Sequence, residues 1–290
     1  MVREKLNKVI ETIVESYSQE EIREIKNEFQ KSSGQIFEDD RSYDSRMASF
    51  LEWFTLDRLI PGTKETDVER YIHTNKNTPQ GEFNIYHNFT ESVHGIFVVK
   101  KIKSEIIKVL NLFDGNNYWV DGDKGRLLFQ KNDVFEGRLI CAEEKYYFTG
   151  TFCFHPPECL KFIKSETKDI RQEHNNNLEE LEKLEKIMKS LTIKFSSFSS
   201  DIDKIIKKIE QTESESKSFR LSEKLNDLEE KVTGVVEEKN LMESKIADWE
   251  RNIIKIEGRE KRLKLIHKLA YMNLKWERSR QIDLKDIYKN

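Results

Sequence analysis

Hydrophobic positions near the start of the chain repeat with helical spacing. Residues 1–31 predict two amphipathic helices, and the second begins at Ser18, with Glu21 in the capping-box position. The stretch from Ser45 predicts another helix, because its apolar residues share one face and Pro61-Gly62 ends the pattern. A short helix is predicted over residues 67–74, capped by Thr66 with Glu69 in the reciprocal position.

After Pro79 and Gly81 the spacing of apolar residues changes from helical to extended. Short runs rich in β-branched and aromatic residues alternate with turn residues, and Asp114-Gly115 and Asp121-Gly122 are typical of tight hairpins. Hairpin spacing of this kind predicts a small, mostly antiparallel β-barrel, SH3-like or OB-like, with the N-terminal helices packed on it. The predicted strands are residues 94–102, 105–113, 117–121, 133–142 and 145–154.

From about Arg171 the apolar residues alternate by three and four, which predicts a coiled-coil seam. The seam is interrupted at 212–220 and resumes about two residues out of register, which favours an antiparallel hairpin over one continuous helix in a parallel dimer. Lys239 takes the place of an apolar residue. The first half comprises Leu181, Leu184, Met188, Leu191, Phe195, Phe198, Ile202, Ile205 and Ile209; the second comprises Leu221, Leu225, Leu228, Val232, Val235, Met242, Ile246, Trp249, Ile253 and Ile256.

These patterns divide the chain into four parts. Residues 1–80 form a helical region and 81–170 the β-domain with a closing helix. Residues 171–258 form the hairpin, which reverses near 212–220, and 259–290 form a basic amphipathic helix and tail. The fold class is therefore expected to be α+β, with a long helical hairpin after the barrel.

Composition agrees with a globular part joined to exposed helices, since 36% of the 290 residues are charged and only four are proline. A net charge of −3 argues against a dedicated duplex-DNA binder. No stretch approaches the roughly 20 apolar residues of a membrane span, and the N-terminus lacks a signal-peptide core. We expect a cytoplasmic protein without a membrane span.

The cysteines all fall in one stretch with a histidine, so a metal site must be weighed. Thiolates and imidazole suit zinc, but the spacing lacks a close Cys-x-x-Cys pair, and burial as small hydrophobes explains the cysteines equally well. A nucleophilic cysteine would need a base beside it, for which His155 is the nearby imidazole. The candidate residues are Cys141, Cys153, His155 and Cys159. We expect neither metal nor cofactor.

The last helix carries an apolar stripe surrounded by basic residues, which could dock on a partner, a membrane surface or nucleic acid. It could equally fold back on the rest of the chain with its basic face in water. The partner-binding candidates are Arg259, Arg262, Lys264, Leu265, Lys268, Leu269, Met272 and Trp276.

Basic and aromatic residues also interleave in the predicted barrel, as on surfaces that stack nucleic-acid bases. The same composition suits strands with one buried aromatic face and one wet lysine face. The residues concerned are Lys100, Lys101, Lys103, Lys108, Tyr118, Trp119, Arg126 and Tyr146.

The stretch FLEWFTLDR (residues 50–58), together with DVFEGRLI further on, resembles an uncharacterised bacterial protein family. Its members carry a "WF..DR" helix before a small β-domain with a "D.FEGRL" strand. The resemblance covers about residues 45–160 and implies a fold but no known activity and no catalytic residues. From residue type alone, Arg58 and Arg138 are candidates to pair with acidic neighbours such as Asp57 and Glu136.

No set of acid, base and nucleophile can be placed together, so we expect no catalytic residues and no enzyme. The sequence favours a non-enzymatic scaffold or adaptor, with a β-barrel recognition module and a coiled-coil arm for protein partners or a homodimer. The alternative is a nucleic-acid-associated protein that binds through the barrel face and the basic C-terminal helix.

Overall fold

The computed structural model describes residues 2–75, 80–103, 105–121, 128–279 and 281–289. These residues form two compact units. The first, here called the sheet unit, comprises Met1–Glu173 and Arg259–Asn290, and the second, the helical-pair unit, comprises His174–Gly258. The protein is of mixed α+β class, with a sheet in the first unit and long helices towards the C-terminus.

The N-terminal helices begin where local sequence predicts. Helix α1 spans Val2–Glu15 and α2 spans Gln19–Ser33, whose first turn carries the predicted capping box between Ser18 and Glu21. Helix α4, Asp67–Thr74, begins with the second predicted box, between Thr66 and Glu69. Both predicted capping boxes are confirmed. Each could be predicted because its two residues are only three positions apart.

Helix α3 spans Tyr43–Glu52 and continues as a wider π-helical turn over Trp53–Asp57. The backbone N–H of Arg58 donates to the Trp53 carbonyl at 2.9 Å, so the helix ends before the predicted stop at Pro61. Every residue of the wide turn is buried, including the charged Asp57. Such turns often occur at functional sites, and this one directs an acidic side chain into the interior.

Helix α5, Gln80–Thr90, was not predicted. Pro79 and Gly81 indicated a change to extended structure, but the chain is helical from Gln80 to Thr90. Phe89 is fully buried against α1 and α4, and Ile85, four residues earlier, packs against the same cluster. This i, i+4 spacing was the helical signal, and the two breaker residues outweighed it in the sequence.

The strands of the described residues form one sheet in which the pairings close a ring. Strand β1 pairs with β2 and β4, β2 with β3, β3 with β5 in parallel, and β5 with β4, while β6 adds to β4. The loop at Asp114-Gly115 joins β2 to β3, and Gly122 lies outside the described residues. The strands are β1 Val93–Ile102, β2 Ile106–Asn111, β3 Asn117–Asp121, β4 Val134–Ala142, β5 Lys145–Phe148 and β6 Cys153–His155.

The last predicted strand, residues 145–154, is interrupted. β5 and β6 both pair antiparallel with β4, but two extra residues shift the register between Leu139↔Phe148 and Glu136↔Cys153. Gly150 lies in this break with a φ of +98°, a value that favours glycine. The interruption bends the chain so that Phe152 and Phe154 both reach the aromatic cluster around Phe135.

Alternation along the strands separates two cores. One face of β1 and β4 supplies Phe97, Val99, Phe135 and Leu139 to a core enclosed by the ring. The opposite face supplies Ile96, Val98 and Val134 to a core covered by the C-terminal helix α8, Gly258–Arg278, and by the start of α6, Leu160–Glu210. Further along the same opposite face, the strands carry charged residues in place of apolar ones.

The helical-pair unit contains the rest of α6 and helix α7, Glu215–Asp248, which continues as a π-helical stretch over Trp249–Glu257. Residues 211–214 separate the helices, so 215–220 belong to α7 and not to the break. Trp249 Nε1 donates to the Asn177 carbonyl at 3.1 Å, and Lys239 Nζ lies 5.6 Å from the centroid of the Phe195 ring. These contacts pair the helices in antiparallel order.

Exposure along α6 follows the predicted seam, since its seam positions from 181 to 209 are buried or half-buried and nearly all others there are exposed. Leu191, Val235 and Met242 are the most buried residues of the unit. Whether the pair packs as a coiled coil stays a prediction. Among the described residues, no helix combines the length and the apolar character that a membrane crossing requires.

Candidate functional site

A buried ionic cluster lies on the outer face of strands β1 and β4, beneath the wide turn that follows α3. Arg138 is its centre and is only 1% exposed. Its guanidinium donates to Asp57 Oδ2, to Glu52 Oε2 at 3.3 Å and to Ser92 Oγ at 3.0 Å. Glu52 in turn accepts from Thr151 Oγ1 at 2.8 Å. The sequence offered Asp57 and Glu136 as examples of partners for Arg58 and Arg138; in the structure Arg138 pairs with Asp57 and Glu52, whereas Arg58 pairs with Glu28.

His94 joins the two ends of this cluster. Its Nδ1 lies 3.1 Å from Asp57 Oδ2 and its Nε2 lies 3.1 Å from Glu136 Oε1. The pairing of His94 with Arg138 across β1 and β4 brings these side chains together. Arg138 Nη2 also lies 3.1 Å from Nδ1, but because each ring nitrogen faces a carboxylate, the doubly protonated imidazolium satisfies both acceptors.

The pKa values of the cluster agree with this charge state. Burial would raise the pKa of the Asp57 carboxyl, but Arg138 foremost, and then His94, hold it well below its usual range. Burial also opposes ionisation of Glu136, yet the hydrogen bond and charge of His94 lower its pKa below 4.5. Burial and Arg138 disfavour the charged form of His94, but Asp57 and the carboxylate hydrogen bonds raise its pKa above 6.5.

The cluster is therefore a closed network. Both nitrogens of His94 are occupied, so in this state neither can take a proton from a substrate. Such networks lose stability when one partner is removed, because a buried charge is left without compensation. The arrangement fits a structural role that joins the N-terminal helices to the sheet.

A polar cavity of about 180 Å³ adjoins the cluster within the sheet unit. It lies where α2, α3, the sheet and α8 meet, and His94 and Glu136 form part of its wall. Apolar walls come from Phe29, Trp53, Phe152, Phe154, Ala270 and Leu274, and polar ones from Ser42, Ser45, Arg46, Ser49, Cys153, His267, Asn273 and Glu277.

The cysteines and His155 have different surroundings, although Cys153, His155 and Cys159 all lie close enough to Tyr288 to interact with it. Cys159 lies in the core beneath α8, and burial raises the pKa of its thiol to about 12. Cys153 faces the cavity, where burial also raises its pKa, and Cys141 stands opposite Tyr146. His155 Nδ1 lies 3.1 Å from the Tyr288 hydroxyl. Within the described residues, no three His, Cys, Asp or Glu side chains are grouped to hold a metal ion.

The stripe of the C-terminal helix is occupied within the chain. Leu265, Leu269 and Met272 are buried in the core against the sheet, and Trp276 packs at its edge. Several surrounding basic groups also have partners in the sheet unit. Lys268 Nζ lies 2.7 Å from Glu166, Lys261 pairs with Glu173, and Arg259 donates to the Leu56 carbonyl at 3.3 Å; Arg262 is half-buried and Lys264 is exposed.

The basic and aromatic residues of the strands divide into two groups. Tyr118 and Tyr146 pack against the core of the ring, with ring centroids 5.0 Å apart. Trp119 instead points outward and is 45% exposed, and the ammonium groups of Lys103 and Lys108 lie 5.4 and 5.3 Å from its ring centroid. We call these three residues the Trp119 patch. Arg126 lies outside the described residues.

These features define a mixed α+β protein whose sheet closes a ring, beside a buried ionic cluster and a polar cavity. The chain belongs to a family of unknown function (DUF7986), whose family model matches residues 1–190. Membership in an uncharacterised family agrees with the resemblance stated from the sequence, and the match extends beyond residues 45–160. Comparisons with curated proteins and with solved structures gave no match.

Sequence reasoning missed the charged or titratable residues Glu52 and His94 of the cluster and Arg46 beside it, as well as the hydroxyl groups of Ser92 and Thr151. His94 and Arg138 are 44 positions apart, so no local pattern links them. Arg46 and Glu52 lie off the apolar face of a predicted amphipathic helix, where charge is expected, so helical periodicity gave no sign that they are buried. The available signal was His94, because a titratable residue in a strand of apolar residues needs a partner when it is buried.

Proposed function

We propose that this protein is a non-enzymatic scaffold or adaptor, in which the sheet unit recognises a partner and the helical-pair unit is a coiled-coil arm that contacts protein. The main support is the construction of the helical-pair unit. Its side chains are buried along one seam, and most of the remaining surface of its two long helices is exposed. We include a cytoplasmic location in the proposal, which the free state of Cys141, Cys153 and Cys159 supports.

We also propose that the ring in the sheet unit is a small OB-like barrel. Five strands joined in a ring, β1-β2-β3-β5-β4, match the strand number of that fold, and β6 extends one edge. Helices α1, α4 and α5 pack on Ile140 of the ring, and α8 packs on Ile96 and Val98. The β2–β3 face carries the Trp119 patch and is the part of such a barrel that binds ligands.

Protein contact through the arm is expected to involve its exposed apolar side chains. Ile193, Phe219 and Leu241 are 64, 67 and 57% exposed. We predict that full-length protein retains a protein partner in about 1 M salt, where charge contacts are screened within roughly 3 Å. Changing Ile193→Glu together with Leu241→Glu should abolish retention, measured by crosslinking and mass spectrometry, while the helical circular dichroism stays unchanged.

The matched control is Thr192→Glu together with Asn240→Glu, which adds the same two charges at the exposed positions beside Ile193 and Leu241. It should retain the partner as the original protein does. If the original protein retains no partner, or if the control and the Ile193→Glu, Leu241→Glu variant lose the partner equally, the arm is not a protein-contact surface.

A second candidate function is association with single-stranded nucleic acid, and the Trp119 patch favours it. An exposed indole between two ammonium groups can stack on a base while the lysines meet the phosphates. Replacing Trp119→Ala should weaken binding to an oligothymidylate by about 1–3 kcal/mol, measured by fluorescence anisotropy in low salt. The affinity of the original protein should fall steeply as salt rises.

Phe219→Ala is a suitable control, because Phe219 is an exposed aromatic residue of the other unit. It should bind the oligonucleotide as tightly as the original protein. Binding that is absent at low salt, or that is unaffected by Trp119→Ala, would eliminate this second candidate and leave the scaffold proposal untouched.

A further inference from the structure

The cavity beside the ionic cluster contains a buried cation without a carboxylate partner. Arg46 is 8% exposed, and its terminal Nη2 donates to the carbonyls of Ser33 and Gly34 at 2.7 and 3.1 Å. Its Nε is buried and has no hydrogen-bond partner among the described residues. Buried polar groups in native proteins are nearly always satisfied, so this N–H requires an acceptor that the described side chains do not supply.

Asn273 lines the same cavity, is 6% exposed and requires a hydrogen-bond donor. Its Nδ2 donates to Glu277 Oε1 at 3.1 Å, whereas its Oδ1 is buried without a partner among the described residues. The cavity therefore offers one unused donor and one unused acceptor. They lie on α3 and α8, so an occupant that met both would join these two helices.

Acidic groups in the cavity wall already have partners. Glu136 accepts from His94 at 3.1 Å, and Glu277 accepts from Ser42 Oγ at 2.7 Å as well as from Asn273. The charge of Arg46 is thus not matched by direct contact with a carboxylate within the described chain. An anionic acceptor would supply the strong, charge-assisted hydrogen bond that this guanidinium lacks.

Size and wall composition limit the occupant. The volume of about 180 Å³ is similar to the engineered cavity of about 150 Å³ that binds benzene. The aromatic rings of Phe29, Trp53, Phe152 and Phe154 form much of the wall. Pockets for small ligands combine apolar walls with polar groups that fix orientation, and this cavity has both, with six apolar and ten polar residues in its wall.

We propose that the cavity binds a small organic acid, with its carboxylate on Arg46, its apolar body among the aromatic rings and a hydrogen-bond donor facing Asn273. The ligand holds α3 and α8 against the sheet. This site is separate from the arm and from the Trp119 patch, so it goes beyond the proposed scaffold function.

The test uses the full chain and three probes: 3-hydroxybenzoate, benzoate and the neutral benzamide. Isothermal titration calorimetry should give saturable binding of 3-hydroxybenzoate, weaker binding of benzoate, and binding of benzamide at least about tenfold weaker than that of benzoate. Arg46→Gln should reduce benzoate binding to the level of benzamide. Saturable binding should also raise the unfolding temperature.

Because Arg46→Gln can disturb folding, a second pair of variants fills space without removing a charge. Ser49→Leu places a larger side chain at the cavity wall and should abolish binding, whereas Ala48→Leu, at the neighbouring half-buried position outside the wall, should leave it intact. Equal binding of benzoate and benzamide, or no saturable binding of any probe, would overturn the proposal.

Discussion

Replacing Arg138 with methionine is expected to lower the free energy of unfolding by about 3–5 kcal/mol. Methionine fills much of the same volume but leaves Asp57 and Glu52 buried without their cation. Asp57 would retain His94, whereas Glu52 would retain the Thr151 hydroxyl as its side-chain partner among the described residues. The measurement is urea denaturation at neutral pH, followed by circular dichroism.

Arg58→Met is the matched control because it makes the same change in a neighbouring ion pair. Arg58 bonds to Glu28 at 2.9 Å; the Arg58 side chain is 11% exposed, but that of Glu28 is 53% exposed, so removal of Arg58 leaves a carboxylate that water can solvate. Water screens such a pair, so the expected loss is at most about 1 kcal/mol. Losses of equal size in the two variants would mean that Arg138 does not act through burial of its charge. In that case the cluster would contribute no more than a surface pair.

The features that the sequence predicted well are those set by nearby residues. The capping boxes at Ser18 and Thr66 need partners three positions away, and both form. The turn after Ala142 likewise lies where it was predicted, although Glu143 and Glu144 both take positive φ, of 51° and 62°. Asparagine and glycine are the usual residues there, so the turn is imposed by the pairing of β4 with β5 and not by its own residues.

Features that depend on tertiary packing could not be predicted from the sequence patterns. The wide turn at Trp53–Asp57 changes which residues face inward, and it buries Asp57 beside a strand some 80 positions later. The break at Gly150 accompanies the packing of Phe152 and Phe154 on Phe135, a contact that no local pattern predicts. The cavity depends on the contact of α3 with α8, whose residues are more than 200 positions apart in the sequence. The apolar periodicity within α3 and within α8 shows only that each helix is amphipathic, and not that the two helices contact each other.

Lowering the pH from 7 to about 4.5 is expected to destabilise the sheet unit through two buried histidines. Burial lowers the pKa of His155 and of His267 from 6.5 to about 4 in each case. His155 is 4% exposed, and His267 is 7% exposed and packs with its ring against Phe29 and Trp53. Each histidine must stay neutral in the folded chain but gains a proton when unfolded, which opposes folding in acid.

The direction of each pKa shift determines the pH range in which that group affects stability. A lowered histidine pKa gives stability that is complete above pH 6.5 and is lost as the pH falls towards 4. His94 has a raised pKa, so its contribution is complete below 6.5 and is lost only at higher pH. Asp57 and Glu136 have lowered pKa values, so theirs is lost below ordinary carboxyl values of 3.8 and 4.5. Between pH 6.5 and 4.5 the change should therefore come mainly from His155 and His267.

Across this window each of the two histidines should remove about 2–3 kcal/mol from the free energy of unfolding. Urea titrations at several pH values measure the loss, and His267→Gln should reduce the slope against pH while His155→Gln should do so independently. His73→Gln is the control, since its side chain is 62% exposed. A slope unchanged in both buried variants would show that other groups cause the acid sensitivity. A reduced slope in both would mean that the neutral state of these residues, one in the cavity wall and one against Tyr288, is a condition of the fold.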